Sequence, residues 1–105
     1  MINKTFQAYD QADFAKAAGL FDRLLQEDQR PFVRFYAAIA FMESEQEPKA
    51  AELLQKLVKE AKDFEMQSTW YLALNFLKNK EFDKSVSLLE NLEDSGTSYS
   101  EKAKE

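Results

Sequence analysis

The 105-residue chain contains no cysteine and no histidine. Without cysteine there are no disulfides and no thiol catalysis, and without histidine there is no imidazole base. Together the two absences remove nearly all zinc chemistry. They leave the redox compartment open, so cytoplasm and cell envelope both remain candidate locations. Glycine and proline are scarce, two of each, which favours long helices joined by short connections. No apolar run approaches the length of a membrane span, so this segment is not expected to insert into a bilayer. The opening Met1-Ile2-Asn3-Lys4 lacks the apolar stretch of a signal peptide. Basic residues are outnumbered, 14 against 19 acidic, for a formal net charge of −5. Nucleic acid and anionic membrane surfaces both ask for the opposite sign.

What is present is apolar and aromatic. Hydrophobic residues make up 45% of the chain, which argues against disorder, and the length suits one compact domain over 1–105. The apolar positions recur at helical spacing in six segments. Ile2, Phe6 and Tyr9 mark a first helix over 2–10. Asp13 is placed to cap a second over 13–27, which carries Phe14, Ala17, Leu20, Phe21, Leu24 and Leu25. Pro31 suits the first turn of a third helix running through Phe32, Phe35, Tyr36, Ile39, Ala40 and Met42. Ser44 and Glu47 have the spacing of a capping box for a fourth helix, with Pro48 early and Ala50, Ala51, Leu54, Leu57 and Val58 as its stripe. The fifth, over 64–78, holds Phe64, Trp70, Tyr71 and Phe76. The sixth, over 81–93, uses Phe82, Val86, Leu88, Leu89 and Leu92. After the breaker Asp94-Ser95-Gly96-Thr97, Ser98 and Glu101 predict the start of a seventh helix.

The even-numbered helices repeat one another. Phe14 is followed at 34-residue spacing by Pro48 and Phe82, Ala17 by Ala51 and Ser85, Leu20 by Leu54 and Leu88, and Leu24 by Val58 and Leu92. A fixed period of this length in an all-helical sequence marks a helix-turn-helix solenoid. The units fall at about 1–28, 29–62 and 63–96, with a partial helix over 97–105. The pattern resembles the tetratricopeptide repeat (TPR) family. An acidic-aromatic pair followed by a small residue opens the second helix of a unit: Asp13-Phe14 with Ala17, and Glu81-Phe82 with Ser85. The middle unit has Glu47, Pro48 and Ala51. Trp70, Leu72, Ala73 and Phe76 match the first-helix pattern of that family. Tyr36, Ala38, Ile39 and Met42 depart from it, because Ile39 takes the small position. Ile2 and Ala8 are all that the first unit keeps. The family's turn glycine is replaced by Ala12, Gln46 and Lys80. The run Trp70-Tyr71-Leu72-Ala73-Leu74 is similar to TPR units of bacterial proteins, some of them attached to the envelope.

This resemblance implies an all-α, right-handed α-solenoid of three TPR-like repeats, and a non-catalytic module that binds a partner protein or peptide. Binding in the family uses the concave groove lined by the first helix of each unit. Mapped here, that groove is Phe6 and Tyr9, with Ile2, then Val33, Tyr36, Ala40 and Glu43, then Gln67, Trp70, Leu74 and Leu77, with Lys78. The groove is aromatic and apolar, so an apolar helix or peptide is the expected occupant. The positions that hold Lys, Arg and Asn in carboxylate-clamp members hold Tyr36, Ala40, Trp70 and Leu74 here. Tyr36 and Trp70 fit a core role as readily as a groove role. Phe14, Leu20, Phe21, Leu54, Leu88 and Leu89 are expected core.

No cofactor, metal or catalytic set is expected. Glu43, Glu45 and Glu47, like Glu27 and Asp28, lie at turns without the glycine-centred spacing of a calcium loop, and read as solvated charge. Paired carboxylates could serve acid-base chemistry only inside a closed pocket, which a short solenoid does not offer. The other reading is a structural piece that stacks with further repeats, or forms a homo-oligomer, through exposed solenoid ends.

Overall fold

The computed structural model describes residues 2–94. They form six α-helices, with no strand among them. The helices are α1 (Ile2–Asp10), α2 (Phe14–Leu24), α3 (Pro31–Glu43), α4 (Glu47–Glu60), α5 (Glu65–Lys78) and α6 (Phe82–Asp94), with a 3-10 turn at Lys62–Phe64 before α5. The expected seventh helix from Ser98 lies outside the described residues. Each helix packs against the next in the chain, and α3 also meets α5.

Local chemistry sets the helix starts. The Asp13 side chain accepts from the Lys16 amide at 3.4 Å at the head of α2. Before α3, Asp28 binds both the backbone amide of Arg30 (3.1 Å) and its guanidinium (2.6 Å to Nη2). This holds Arg30 extended ahead of Pro31, the conformation that a residue preceding proline prefers. The expected capping box at α4 does not form. Gln46 is the N-cap and makes no side-chain cap bond; Ser44 Oγ instead donates to the Phe41 carbonyl and accepts from Gln46 Nε2. Pro48 in the first turn needs no amide partner.

The ends of α1, α3 and α5 share one geometry. Ala12, Glu45 and Lys80 have φ of 60°, 66° and 62°. The following amides, of Asp13, Gln46 and Glu81, reach back to the carbonyls of Ala8, Phe41 and Phe76 at 3.0, 2.7 and 2.8 Å. This is the Schellman closure, in which a left-handed residue satisfies the last orphan carbonyls of a helix. The equivalent residues 13, 46 and 81 are 33 and then 35 apart. The uniform 34-residue register expected from the sequence is therefore corrected in the middle unit, where the turn comes one residue early.

The corrected register brings the core into line. Ala17, Ala50 and Ser85 are equivalent, and each is fully buried. Leu24, Leu57 and Leu92 follow seven residues later, all within 5% exposure. Ala51 and Val58, which a uniform period places in these rows, are only half-buried. On the odd-numbered helices Thr5, Ala38 and Ala73 form the small row, each fully buried. Ala38 and Phe41 thus take the places that Ile39 and Met42 were expected to fill. Small side chains here let neighbouring backbones approach closely. Ser85 uses that approach to donate its hydroxyl to the Ala73 carbonyl at 3.0 Å. Asn75 ties α5 to α4 by donating to the Glu47 carbonyl at 3.0 Å.

Phe21 and Leu54 are buried as expected, and such side chains each contribute about 1.5–3 kcal/mol. Phe14, Leu20, Leu88 and Leu89 are only partly covered. Phe82 and Val86, expected on the apolar stripe of α6, are 57% and 50% exposed.

A left-handed conformation strains any residue with a Cβ by roughly 1–2 kcal/mol, offset for glycine by its own ordering cost of about 0.5–1 kcal/mol. Glu45→Gly should therefore stabilise the fold by about 0.5–1 kcal/mol, and Ala12→Gly and Lys80→Gly likewise. Gln46→Gly, at a residue with φ of −112°, should destabilise it. Urea midpoints at unchanged m-value measure the difference. The opposite order for Glu45 and Gln46 would restore the uniform period.

Candidate functional site

The corrected register changes which residues share a face. Counting back from each helix end, Phe32, Tyr36, Ile39 and Glu43 of α3 correspond to Gln67, Tyr71, Leu74 and Lys78 of α5. On α1, Phe6 corresponds to Ile39 and Asp10 to Glu43. The partner of Tyr36 is therefore Tyr71, which the sequence mapping omitted. Trp70 is half-buried and sits about 100° further round the helix.

Ring contacts join the three odd-numbered helices. Phe6 meets Phe21, Phe32 and Tyr36 at centroid distances of 5.4, 6.1 and 5.7 Å. Tyr9 packs edge-on against Phe14 at 5.7 Å and Tyr36 at 5.3 Å. Phe35 continues the chain to Tyr36, Phe64 and Tyr71, each at 5.4 Å. Edge-to-face pairs of this kind add about 0.5–1.5 kcal/mol each beyond area burial. Phe6, Tyr9, Tyr36, Tyr71 and Leu74 remain partly exposed while packing on the core, so one array has both a structural and a surface side.

The other mapped positions separate. Val33 and Ala40 are fully buried against Ala17, Ala18 and Phe21, so they offer a partner no surface. Both face α2 because they belong to the helix-helix seam. Gln67 is half-buried on the shared face. Leu77 is 39% exposed, at the edge rather than in the row. Glu43 is exposed, and its carboxylate lies 4.0 Å from the Lys78 ammonium. Ile2 has no described side chain.

The electrostatics are local. Burial, and then the Tyr71 and Tyr36 phenols and the Asp10 and Glu43 carboxylates, push the Tyr9 phenol above its ordinary value of 10.0. Asp10 and Glu43 are the last residues of α1 and α3, and neither helix has a basic residue in its last turn. Both carboxylates thus add to the negative end of a helix dipole. Among the described residues, no group of three or more acidic side chains is placed to hold a metal ion, and no helix is long and apolar enough to cross a membrane. No family model, curated protein or solved structure matches the chain.

Because the Tyr9 phenol is raised, folding favours its protonated form. That stabilisation is complete below the unfolded value near 10 and is lost as pH rises through the folded value. Tyr9→Phe should therefore flatten the decline of stability above pH 10. Urea unfolding of both proteins at pH 9 and 11 tests this; identical slopes would show that Tyr9 titrates like an exposed phenol.

Proposed function

We propose that this protein is a non-catalytic interaction module of three TPR-like helix pairs, whose odd-numbered helices form a groove for an apolar segment of a partner protein. The observation that carries this reading is the partly exposed array of Phe6, Tyr9, Tyr36, Tyr71 and Leu74 across three helices. Tyrosine anchors suit such a role because they bury a large area at low entropic cost. The Schellman-closed turns and sequential helix packing support the repeat architecture. The positions that the resemblance assigns to a carboxylate clamp, Tyr36, Ala40, Trp70 and Leu74, hold no Lys, Arg or Asn, so the groove is read as apolar. Its bacterial character and any link to the envelope rest on the family resemblance alone.

The test compares wild type, Tyr36→Ala/Tyr71→Ala and Leu74→Lys as baits in lysate, with circular dichroism and melting run on each. A partner held by wild type and lost by both folded variants is the expected result. Equal capture by all three would remove the groove from consideration. Val86→Glu, on α6, serves as a bait altered outside the groove.

A second reading is a scaffold that stacks through α6, and one contrast favours it. Ala18 on α2 is 1% exposed, whereas its equivalent on α6, Val86, is 50% exposed. At the other end, α1 carries exposed Lys4 and Gln7 where α3 has buried Ala37 and Ala40, so the two ends differ. Sedimentation equilibrium decides between the readings. Stacking predicts a mass that rises with concentration and is returned to monomer by Val86→Glu; a constant monomer mass would exclude self-stacking.

A further inference from the structure

Asp22 of α2 and Lys49 of α4 tie the first helix pair to the second at 3.2 Å, beside a cleft lined by Leu25, Phe41 and Leu53. In the corrected register both halves of this joint recur on the outer sides of the helix array. On α6, Glu90 stands at the place of Asp22, and Val86 and Leu89 stand at those of Ala18 and Phe21. Ala18 and Phe21 are buried in a cluster that α3 completes, whereas Val86 is 50% exposed and Leu89 only half-buried. On α2, Lys16 and Leu20 stand at the places of Lys49 and Leu53, on the wall of a cleft that also takes in Lys4, Gln7 and Ala8. The middle pair has Gln55 where the others have Asp22 and Glu90. The match of an acid with a lysine therefore belongs to the first joint and to the two outer sides.

The outer sides also carry opposite charge. Asp83 and Glu90, both exposed, lie three residues before Val86 and four after it, so they flank it on one face of α6. The α1–α2 cleft has Lys4 and Lys16 as its charged residues. Lys4 and Gln7 replace the Ala37 and Ala40 of the first joint, but α5 shows that larger side chains fit there. Its Leu72 and Asn75 hold the same positions and are buried, with Asn75 donating to the Glu47 carbonyl of α4. The Lys4 stem can lie on apolar surface in the same way, with its charge at the tip.

We infer that the α6 side docks the α1–α2 side of a second copy of this chain. Val86 and Leu89 of one copy meet the Lys4–Lys16 cleft of the next, and Glu90 pairs with Lys16 across the joint as Asp22 pairs with Lys49 within the chain. The inference rests on the stacking reading above and names its partner. Continuity with the internal joint and complementary charge support it. The two surfaces differ, so the contact is heterologous, and each added copy presents α6 again. Growth then continues past the dimer unless the rotation closes a ring.

The test is sedimentation equilibrium of the full chain at low salt over rising concentration. The wild-type mass should climb beyond the dimer and fall back as salt is added. Lys16→Glu and Glu90→Lys should each weaken association about fivefold, because like charges then meet across the joint. An equimolar mixture of the two variants should regain the wild-type mass, and so should Lys16→Glu/Glu90→Lys alone. Circular dichroism and melting confirm that the single variants fold, and recovery on mixing shows it independently. A rising mass that Val86→Glu abolishes but neither charge variant alters would overturn this joint and leave stacking through α6 in another geometry. A Glu90→Lys defect that mixing does not rescue, with growth stopping at the dimer, would overturn it in favour of α6 against α6. A constant monomer mass would overturn both this joint and self-stacking, leaving α6 to a different occupant.

Discussion

Each odd-numbered helix ends by turning one residue into the left-handed region, at Ala12, Glu45 and Lys80, and that backbone choice fixes where the next helix begins. The closure carries the chain into an antiparallel neighbour with its last carbonyls satisfied. Everything downstream inherits its register. The buried small row of Ala17, Ala50 and Ser85 lies four residues past each closing amide, and the leucine row seven residues beyond that. Moving one turn by one residue rotates the following helix by about 100°, enough to exchange a buried position for an exposed one.

This explains which parts of the fold were legible in the sequence. Helix number and approximate bounds follow from apolar spacing, because a stripe such as Phe21, Leu24 and Leu25 survives an error of one residue. The side chains that face a given neighbour do not. In the middle unit Ala50 and Ala51 are adjacent small residues, and a uniform period selects the wrong one. Glycine would have marked the turn; at Glu45 no glycine reveals the left-handed position. The same slip led from Tyr36 to Trp70 in place of Tyr71. Val33 and Ala40 failed as groove residues for a different reason. They lie on helical spacing from Tyr36, yet α3 is covered on most of its circumference, and spacing alone does not say which side stays open.

The aromatic array shows why core and groove were hard to separate from sequence. Tyr36 touches Phe6, Tyr9 and Phe35 and still remains partly exposed. A ring in that position supports the packing of α1 on α3 with one edge and presents the other to solvent. The two roles are therefore not alternatives. In a stack of helix pairs, the residues that join neighbouring first helices are the ones that line the surface between them.

Local rules are broken in this chain at two kinds of place. The left-handed Ala12, Glu45 and Lys80 bear strain that glycine would relieve, and Asp10 and Glu43 oppose the dipoles of their helices. The turn strain is spread over all three helix ends and serves the register. The last residue is acidic in α1, α3, α4 and α6, while α5 ends in the favourable Lys78. Lys78 lies 4.0 Å from Glu43, so the favourable end of α5 offsets part of the unfavourable end of α3 beside it.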